Sequence, residues 1–377
     1  MDKRERVMKT ISHEEPDLCP VHYLGFEKTA SAYENFVNSS YYENCVTDFE
    51  YAGNIAIPRF LNVDVFVQDP FYEQIHYWLP NPLEYPEYNY KLNVVGRLYK
   101  TVKIEKTGQD YAFYEKGYYT TEEILKQTWD AYGKPHEYML DGVDYNPNTW
   151  RAVVEECEPY FVPMGRLVIP MHEALFEGMT LARLAYYMRR KPSYIHEVMA
   201  EYTATNIANI NGLADAGVEI LMYNDDIAQK ERSIISLTNF REFILPYYQQ
   251  IYDACKKRGM FVIQHSCGYV DEFLPEMVNI GLPGIQSLEP AAGVDLSALK
   301  KKFGDRLVFL GGIDSSRILN FGTPDDIENE VKRCLAAAGA GGGYFVGPSH
   351  DILNVPFENL LALRDAIEKH RAYPLQV

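Results

Sequence analysis

A histidine and a cysteine two residues apart are the most specific chemical feature of this sequence. They lie in the run His265-Ser266-Cys267-Gly268, directly after the mostly apolar segment 260–264. In an extended chain, side chains two residues apart point to the same side, so an imidazole and a thiolate can bind one ion. A third ligand from another strand, for which His350 is our candidate, would complete a catalytic zinc site with one open position. The alternative is a buried histidine and a free cysteine that only fill the core.

The strands and helices that must position these residues alternate regularly along the sequence. From about residue 160 onward, short apolar runs alternate with longer helical patterns, such as the one at 192–217. This rhythm is expected of βα units and predicts a parallel sheet. Two earlier strands, at 19–24 and 63–68, bring the predicted total to the eight of a closed (β/α)8 barrel of the TIM type, an α/β fold. The six strands predicted in the second half are 167–172, 219–223, 260–265, 284–288, 307–311 and 343–346.

Polar residues at the ends of these strands are the other candidates for chemistry. In a parallel barrel, catalytic residues lie where the strands run into their following loops. A carboxylate at such a position can also cap the next helix, and for Asp314 we weigh the two roles equally. Besides the three metal-ligand candidates, these strand-end residues are His22, Tyr23, Asp69, His172, Glu173, Glu177, Asn224, Asp225, Asp226, Gln286, Glu289, Asp314, Ser349 and Asp351.

Residues 70–120 break the alternation and are rich in Tyr, Pro and Asn. Within them, segments 95–106 and 110–119 alternate apolar and polar residues on both sides of a glycine turn, which predicts an antiparallel hairpin. We interpret 70–120 as an insertion in the N-terminal part of the barrel, either a lid or a partner surface. No linker composition is evident, so residues 1–377 are predicted to form one domain.

Composition excludes several classes of function. The 377 residues include 36 Lys plus Arg against 53 Asp plus Glu, a formal charge of -17, which argues against an extended surface for nucleic acid or anionic membrane. The charged start lacks an apolar signal segment, and no stretch approaches the roughly 20 apolar residues that span a bilayer. We therefore expect a cytoplasmic protein. Six well-separated cysteines without a CxxC pair are expected to be reduced thiols.

Three ordered segments resemble the C-terminal half of the uroporphyrinogen decarboxylase superfamily. They are 265–290, 295–331 and 341–363, and they include Gly-Gly-Ile-Asp at 311–314 and Pro-x-Glu-Asn at 356–359. The resemblance implies a single (β/α)8 barrel. It also implies one of two activities, since the superfamily contains the decarboxylase itself and zinc-dependent methyltransferases that work with corrinoid proteins.

The decarboxylase branch fits this sequence poorly. Its family pattern places arginines just after the first strand, where they pair with the carboxylates of a porphyrinogen. Here that segment, 20–36, contains no arginine. True uroporphyrinogen decarboxylase activity is therefore not expected.

The methyltransferase branch is similar in its His-x-Cys pair, matched by His265 and Cys267. Its third zinc ligand is a cysteine in the loop after the last strand, where this sequence has His350. The decarboxylase branch also carries a histidine in this loop, so this departure is compatible with either branch. Two neutral imidazoles and one thiolate leave Zn²⁺ with a net charge of about +1, which makes it a stronger Lewis acid toward an ether oxygen. The resemblance thus implies an O-demethylating methyltransferase that passes the methyl group to a corrinoid on a partner protein.

The resemblance also implies roles for other strand-end residues. Asp225 and Asp226 are similar to an acidic pair of the family and are expected to orient a ligand histidine or to supply a fourth ligand. Capping of the following segment is the alternative for both. Glu177 is expected to join them as a catalytic acid or base, and a structural role is the alternative for both Glu177 and His172. The residues expected to bind substrate are His22, Tyr23, His172, Tyr223 and Asp314.

Two other functions remain open at this point. One is a decarboxylase of a smaller acid, and the other is a non-catalytic barrel that binds a small molecule or a corrinoid protein. Stoichiometric zinc held by His265 and Cys267 would separate the methyltransferase from both. A dinucleotide-dependent enzyme is disfavoured because the glycines at 341–343 precede a predicted strand instead of following one. The identity of the substrate and the oligomeric state do not follow from the sequence.

Overall fold

Strands and helices alternate along the chain in the computed structural model. The model describes residues 1–25, 31–68, 78–79, 89–103, 110–139, 146–167, 169–230, 232–353 and 355–377. Its strands are β1 (His22–Tyr23), β2 (Val65–Val67), β3 (Trp78–Leu79), β4 (Tyr90–Asn93), β5 (Arg97–Lys103), β6 (Asp110–Gly117), β7 (Val162–Arg166), β8 (Ile220–Asn224), β9 (Ala228–Gln229), β10 (Arg232–Ser233), β11 (Phe261–His265), β12 (Gly284–Ser287), β13 (Val308–Ile313) and β14 (Tyr344–Pro348).

Several helices begin with a residue whose side chain caps the helix N-terminus, among them α1, α5 and α14. Helix α16, for example, has Thr323 as its N-cap in a reciprocal capping box with Asp326, and Pro324 in its first turn. No helix in the described ranges is long and apolar enough to cross a membrane. The α-helices are α1 (Lys3–Ile11), α2 (Ser31–Val37), α3 (Ser40–Cys45), α4 (Ala56–Phe60), α5 (Glu122–Tyr132), α6 (Pro135–Met139), α7 (Pro147–Cys157), α8 (Met171–Met179), α9 (Leu181–Arg190), α10 (Pro192–Asp215), α11 (Leu237–Phe243), α12 (Leu245–Lys257), α13 (Leu274–Asn279), α14 (Leu296–Phe303), α15 (Ile318–Phe321), α16 (Pro324–Ala338) and α17 (Phe357–His370).

Eight of these strands form the predicted (β/α)8 barrel. They pair in the order β1-β2-β7-β8-β11-β12-β13-β14, and every pair is parallel. The first strand also meets the last, because Val21 forms a parallel bridge with Val346, whose N–H donates to the Pro20 carbonyl at 2.9 Å. The expected fold class is thereby confirmed.

The barrel interior is apolar below the ends of the strands. Alternation along each strand sends one set of side chains inward and the other toward the surrounding helices. Val7 of α1 joins the inward set near the start of the strands. Polar chemistry must therefore lie above this layer, at the carboxyl ends of the strands. The other inward residues are Val65, Val162, Met164, Ile220, Met222, Ile263, Val308, Leu310 and Phe345.

One strand prediction was wrong. The strand expected at 167–172 lies earlier, in β7, and Met171 already begins helix α8. Two prolines explain the error. Pro163 lies inside β7 beside Phe66, although proline usually counts against a strand, and Pro170 is the N-cap of α8, where its fixed φ suits a helix start. His172 therefore lies in the first turn of a helix and not at a strand end.

The segment between β2 and β7 contains a four-stranded antiparallel sheet, in the order β3-β4-β5-β6. Strands β5 and β6 are the two segments for which antiparallel pairing was predicted, and the turn at 107–109 lies outside the described residues. The sheet contacts helix α8, since Tyr119 N–H donates to the Gly178 carbonyl at 2.8 Å. A Cβ at Gly178 would lie 2.1 Å from the Val95 carbonyl oxygen, so the close approach requires glycine there. The 70–120 insertion bounds and the single domain stay predictions.

Candidate metal centre

The inward-facing residues of the barrel strands are apolar until the carboxyl ends of the strands, where they give way to a layer of polar side chains. Strand register places His265 beside Asn224 on one side and Gln286 on the other. In the layer beneath, Ile263 lies beside Met222 and is buried in the apolar interior. Because side chains two residues apart share a face, these three polar groups stand at the mouth of the barrel.

Gln286 orients the imidazole of His265. The Nδ1–H of His265 donates to Gln286 Oε1, and the Gln286 amide in turn donates to the Ser349 carbonyl at 3.5 Å. This arrangement leaves the lone pair on Nε2, which lies 3.5 Å from Cys267 Sγ. A nitrogen and a sulfur that bind one tetrahedral Zn²⁺ at their usual bond lengths lie about 3.6 Å apart. The pair therefore has the spacing of two ligands of one ion, with the outer nitrogen held as ligand histidines usually are.

Two carboxylates hold the loop that presents the sulfur. Asp226 Oδ1 accepts the N–H of Cys267 at 2.8 Å, and Glu289 Oε2 accepts the N–H of Gly268 at 3.2 Å. Gly268 has a φ of +83°, and a Cβ there would lie 2.4 Å from the Gln229 carbonyl oxygen. The glycine is thus required for the turn that directs the cysteine toward the mouth.

Cys267 shares one group of possible metal ligands with His265 and a second group with His350, and the two histidines do not belong to the same group. Ligand atoms of Asp226, His265 and Cys267 lie within 4.8 Å of one another, and so do those of Cys267, Glu289 and His350. The cysteine sulfur belongs to both groups. Imidazole nitrogens, one thiolate and carboxylate oxygens form a donor set that suits zinc. Glu289 is a strand-end residue to which the sequence assigned no role, since nothing in it places residue 289 near residue 350.

The charge around the sulfur favours a bound cation. Burial raises the pKa of the Cys267 thiol well above its usual range, and the nearby carboxylates of Asp226, Glu289, Asp351 and Glu173 raise it further. Without a cation the group is a neutral thiol. A divalent ion reverses this balance, because coordination deprotonates the thiol and neutralises part of the surrounding negative charge.

Asp225 lies behind the site, against the start of helix α8. Its two oxygens accept the N–H groups of His172 at 2.9 Å and Glu173 at 2.8 Å. The hydroxyls of Tyr223 and Tyr248 also donate to it, at 3.1 and 2.8 Å. Burial raises the pKa of Asp225, and these contacts oppose the rise. These contacts correspond to the capping alternative, and Tyr223 belongs to the same network. The catalytic role of Asp225 and the substrate role of Tyr223 stay predictions.

Helix α8 presents its first-turn residues to the mouth. The Nδ1–H of His172 donates to the Asp226 carbonyl at 2.7 Å. Glu173 pairs with Arg97 of β5 at 2.6 Å, and Glu177 pairs with the same guanidinium. Burial raises the pKa of Glu173 to about 7, although the arginine opposes this. Burial also raises the pKa of Glu177. Sequence reasoning missed Arg97, because only the docking of the antiparallel sheet on helix α8 brings it to residues some eighty positions later.

The two predicted residues of strand β1 face opposite sides. His22 is fully buried and close enough to His265 for their charges to interact. Tyr23 is fully buried on the other face, in the core between the barrel and its helices, where Arg364 and Glu368 of α17 are its electrostatic neighbours. The structure therefore brings His22 to the mouth and places Tyr23 away from it.

Asp314 has the contacts of a turn residue. Its Oδ1 accepts the N–H groups of Ser316 at 3.0 Å and Arg317 at 2.9 Å, and its Oδ2 pairs with the Arg317 side chain at 2.6 Å. Of its two equally weighted roles, these contacts match the capping one, and the substrate role stays a prediction. Asp69, also a strand-end candidate, lies outside the described residues.

Comparison with known proteins identifies the family. The model of the family described as Uroporphyrinogen decarboxylase (URO-D) matches residues 102–370, which is more than half of the chain. The chain therefore belongs to this family. Its solved neighbours include a methyltransferase from Methanosarcina mazei, with a TM-score of 0.61 and 16% identity over 97% of this chain and 98% of that one. At this identity the likeness confirms the fold alone.

Relatives in this family carry two kinds of name. A uroporphyrinogen decarboxylase of Pseudoalteromonas atlantica is 26% identical over 188 residues, 48% of this chain and 50% of the relative. The methylcobamide:CoM methyltransferase MtaA of Methanosarcina barkeri is 28% identical over 184 residues, 48% of this chain and 51% of the relative. The matches thus span about half the length of each relative. Family membership therefore leaves open the choice between decarboxylation and methyl transfer.

Proposed function

We propose that this chain is a zinc-dependent methyltransferase that moves a methyl group from a small methoxylated substrate to a corrinoid on a partner protein. The observation that carries the proposal is the position of the Cys267 sulfur, which lies within 4.8 Å of ligand atoms of Asp226 and His265 and, in a second group, of Glu289 and His350. A relative named as a methylcobamide:CoM methyltransferase supports the same class of reaction. The absence of arginine from 20–36 argues against the porphyrinogen reaction.

In this proposal His265, Cys267 and His350 are the permanent ligands, and a carboxylate is the exchangeable one. Glu289 is our candidate, because its oxygen lies within 4.8 Å of both the cysteine sulfur and the His350 ring. Two neutral imidazoles and one thiolate would leave a bound Zn²⁺ with a net charge of about +1, which would favour polarisation of an ether oxygen.

The reaction breaks the bond between the methyl carbon and the oxygen. The methyl group goes to the reduced cobalt of the corrinoid, and the electron pair stays on the oxygen. When bound, zinc would stabilise the negative charge that develops on that oxygen. The oxygen must finally gain a proton, and Glu173 is the group that we expect to supply it, since its pKa of about 7 suits this task. Arg97 forms ion pairs with Glu173 and with Glu177, and the first of these pairs holds Glu173 in place.

Metal analysis of matched cysteine and histidine variants tests the metal centre. We expect about one zinc per chain in the wild type and little in Cys267→Ala or His350→Ala. Cys255→Ala is the control, because Cys255 is a buried thiol on α12, away from the barrel mouth. Full zinc in either Cys267→Ala or His350→Ala, or no zinc in the wild type, would overturn the proposed ligand set.

A transfer assay tests the reaction itself. The purified protein is mixed with cob(I)alamin and a panel of methoxylated compounds, and methylcobalamin is quantified by chromatography. We expect methylcobalamin and the demethylated hydroxyl compound to form in equal amounts, and neither to form with Cys267→Ala. If zinc is bound and no methoxylated compound reacts, the methyl donor belongs to another class.

Decarboxylation of a small acid is the second candidate, because relatives in the same family are named as decarboxylases. Its signature would be release of carbon dioxide from a small carboxylic acid by protein stripped of metal. A barrel that binds ligands without turning them over would show neither activity.

A further inference from the structure

The side chains after strand β12 do not follow the alternation of the strand. Within β12, Ile285 packs in the core between the barrel and its helices, and Gln286 points into the mouth. Continued alternation would direct Leu288 into the mouth and Glu289 away from it. The structure shows the reverse. Leu288 belongs to the same core cluster as Ile285, and Glu289 lies in the mouth, in one of the groups of possible metal ligands.

Two consecutive residues with positive φ produce this reversal. Ser287 has a φ of +106° and Leu288 a φ of +59°, so neither residue is extended. Residues other than glycine rarely adopt such values, which are strained for a bulky side chain. Both residues are buried, Ser287 completely. Backbone strain of this kind persists only where the surrounding structure holds it, and it clusters at functional sites.

A glycine on the neighbouring strand makes room for this turn. Gly311 is the register partner of Ser287 on strand β13. A Cβ at Gly311 would lie 2.7 Å from the Ser287 carbonyl oxygen, closer than a Cβ approaches a backbone atom. The next residue, Gly312, also has a positive φ, but a Cβ there would meet the flexible side chain of Leu296. Of these two glycines, Gly311 is therefore the one that accommodates the turn.

We infer that Ser287, Leu288 and Gly311 are positioning residues, and that the turn they form holds the Glu289 carboxylate at the metal centre. The inference rests on the proposed function, in which Glu289 is the exchangeable zinc ligand. The carboxylate also contacts the loop that carries the sulfur, since it accepts the Gly268 N–H at 3.2 Å. Without the turn, the two-residue period would direct Glu289 toward the surrounding helices. The zinc would then keep its three permanent ligands and lose the fourth.

Zinc affinity in a double-mutant cycle tests this positioning role. Glu289→Gln removes the carboxylate, and Gly311→Ala places a Cβ against the Ser287 carbonyl. Each change alone should weaken zinc binding by about tenfold, measured by competition with a chelator. The double variant should bind zinc no more than about twofold more weakly than Glu289→Gln alone, because both changes act through the same carboxylate.

Gly312→Ala is the matched control. It makes the same change at the next residue of strand β13, at a φ of +93°, where the Cβ would meet the Leu296 side chain. This variant should lose stability and keep its zinc affinity within about twofold of the wild type. If Gly311→Ala does not fold, Ser287→Val takes its place in the cycle, since a β-branched residue disfavours the φ of the turn. Ser287→Val should weaken zinc binding about threefold or more, and only while Glu289 is present.

The outcomes separate this inference from the proposed function. An unchanged zinc affinity in Gly311→Ala, or losses that add in the double variant, would overturn the positioning role and leave the methyltransferase in place. Equal losses of affinity in Gly311→Ala and Gly312→Ala would also overturn it, because strain in strand β13 would then explain both. A non-additive cycle in a protein that binds zinc and transfers no methyl group keeps the positioning role and removes the methyltransferase. A wild type without zinc overturns both.

Discussion

Polar side chains are buried at both ends of the barrel, but the hydrogen bonding of these side chains differs between the two ends. At the start of the strands, Asp64 is fully buried and accepts from Arg6 at 2.6 Å, from Arg371 at 3.0 Å and from Val21 N–H at 2.8 Å. At the carboxyl ends, His22 is equally buried, and within the described residues no side chain forms a hydrogen bond with its ring.

This difference in hydrogen bonding indicates that the two ends of the barrel have different roles. A carboxylate with three donors holds α1, β1 and the chain after α17 together, so its partners are its function. A buried imidazole without side-chain partners lowers the stability of the folded chain, and proteins accept such costs mainly at functional sites. Substitutions at the first end should therefore change stability and leave zinc in place, whereas substitutions at the second should change binding.

The largest expected effect is on stability, at Asp64. Asp64→Asn keeps the shape and removes the charge, which leaves Arg371 and Arg6 without their shared buried partner. We expect the free energy of unfolding to fall by about 3–5 kcal/mol, measured by urea titration. The folded fraction should keep its zinc. Loss of zinc from folded Asp64→Asn would mean that the two ends are coupled.

A smaller effect is expected at Gln286, which orients His265. Gln286→Leu removes the acceptor for Nδ1–H and should weaken zinc binding by about 10–100-fold, measured by competition with a chelator. Gln264→Leu is the matched control, because Gln264 is a buried glutamine of strand β11 that bonds to Tyr252. The control should lose stability and keep its zinc affinity. Equal zinc affinities in the two variants would remove Gln286 from the centre.

The third prediction concerns pH and His22. Its pKa is lowered to about 3 in the folded chain, chiefly by burial, while the unfolded chain takes up the proton below about pH 6.5. Acid therefore favours the unfolded state from about pH 6.5 down to about pH 3. Between pH 7 and pH 5 the wild type should lose about 2 kcal/mol more stability than His22→Gln, measured by urea titration at each pH. Parallel losses in the two proteins would contradict the buried neutral imidazole.

The smallest effect is expected at Asp17, a half-exposed partner of Arg6. The side-chain hydrogen bond from Arg6 holds the pKa of Asp17 at about 2, below its usual value. Its stabilising effect is thus present above about pH 4 and is lost as the pH falls toward 2. Asp17→Asn should cost less than about 1 kcal/mol at pH 7, because solvent screens the pair. The difference from wild type should vanish near pH 2, and a difference that persists there would point to another cause.

Much of the barrel could be read from the sequence. Short apolar runs, which alternate with helical segments along the chain, located seven of its eight strands. They do so because a strand buried in a barrel needs a continuous apolar segment. The eighth, β7, was displaced because Pro163 lies inside it. The His265 and Cys267 pair could also be predicted, because their proximity follows from two-residue periodicity alone.

Other parts of the site depend on contacts between distant segments. Glu289 reaches His350 and Cys267 only because strand β12 lies between β11 and β13. Arg97 reaches Glu173 only because the antiparallel sheet docks on helix α8. Asp225 faces the start of that helix, and its contacts with α8 depend on where the helix begins.

The sequence by itself determined which residues alternate, and hence the strands, the apolar interior and the shared direction of His265 and Cys267. These are local properties, set by backbone geometry and by the cost of exposing apolar side chains. Only the tertiary structure decided which carboxylates surround the sulfur, which arginine holds Glu173 and which polar atoms at the mouth lack partners. These depend on strand register and on the docking of separate segments, where a shift of one residue would change every neighbour.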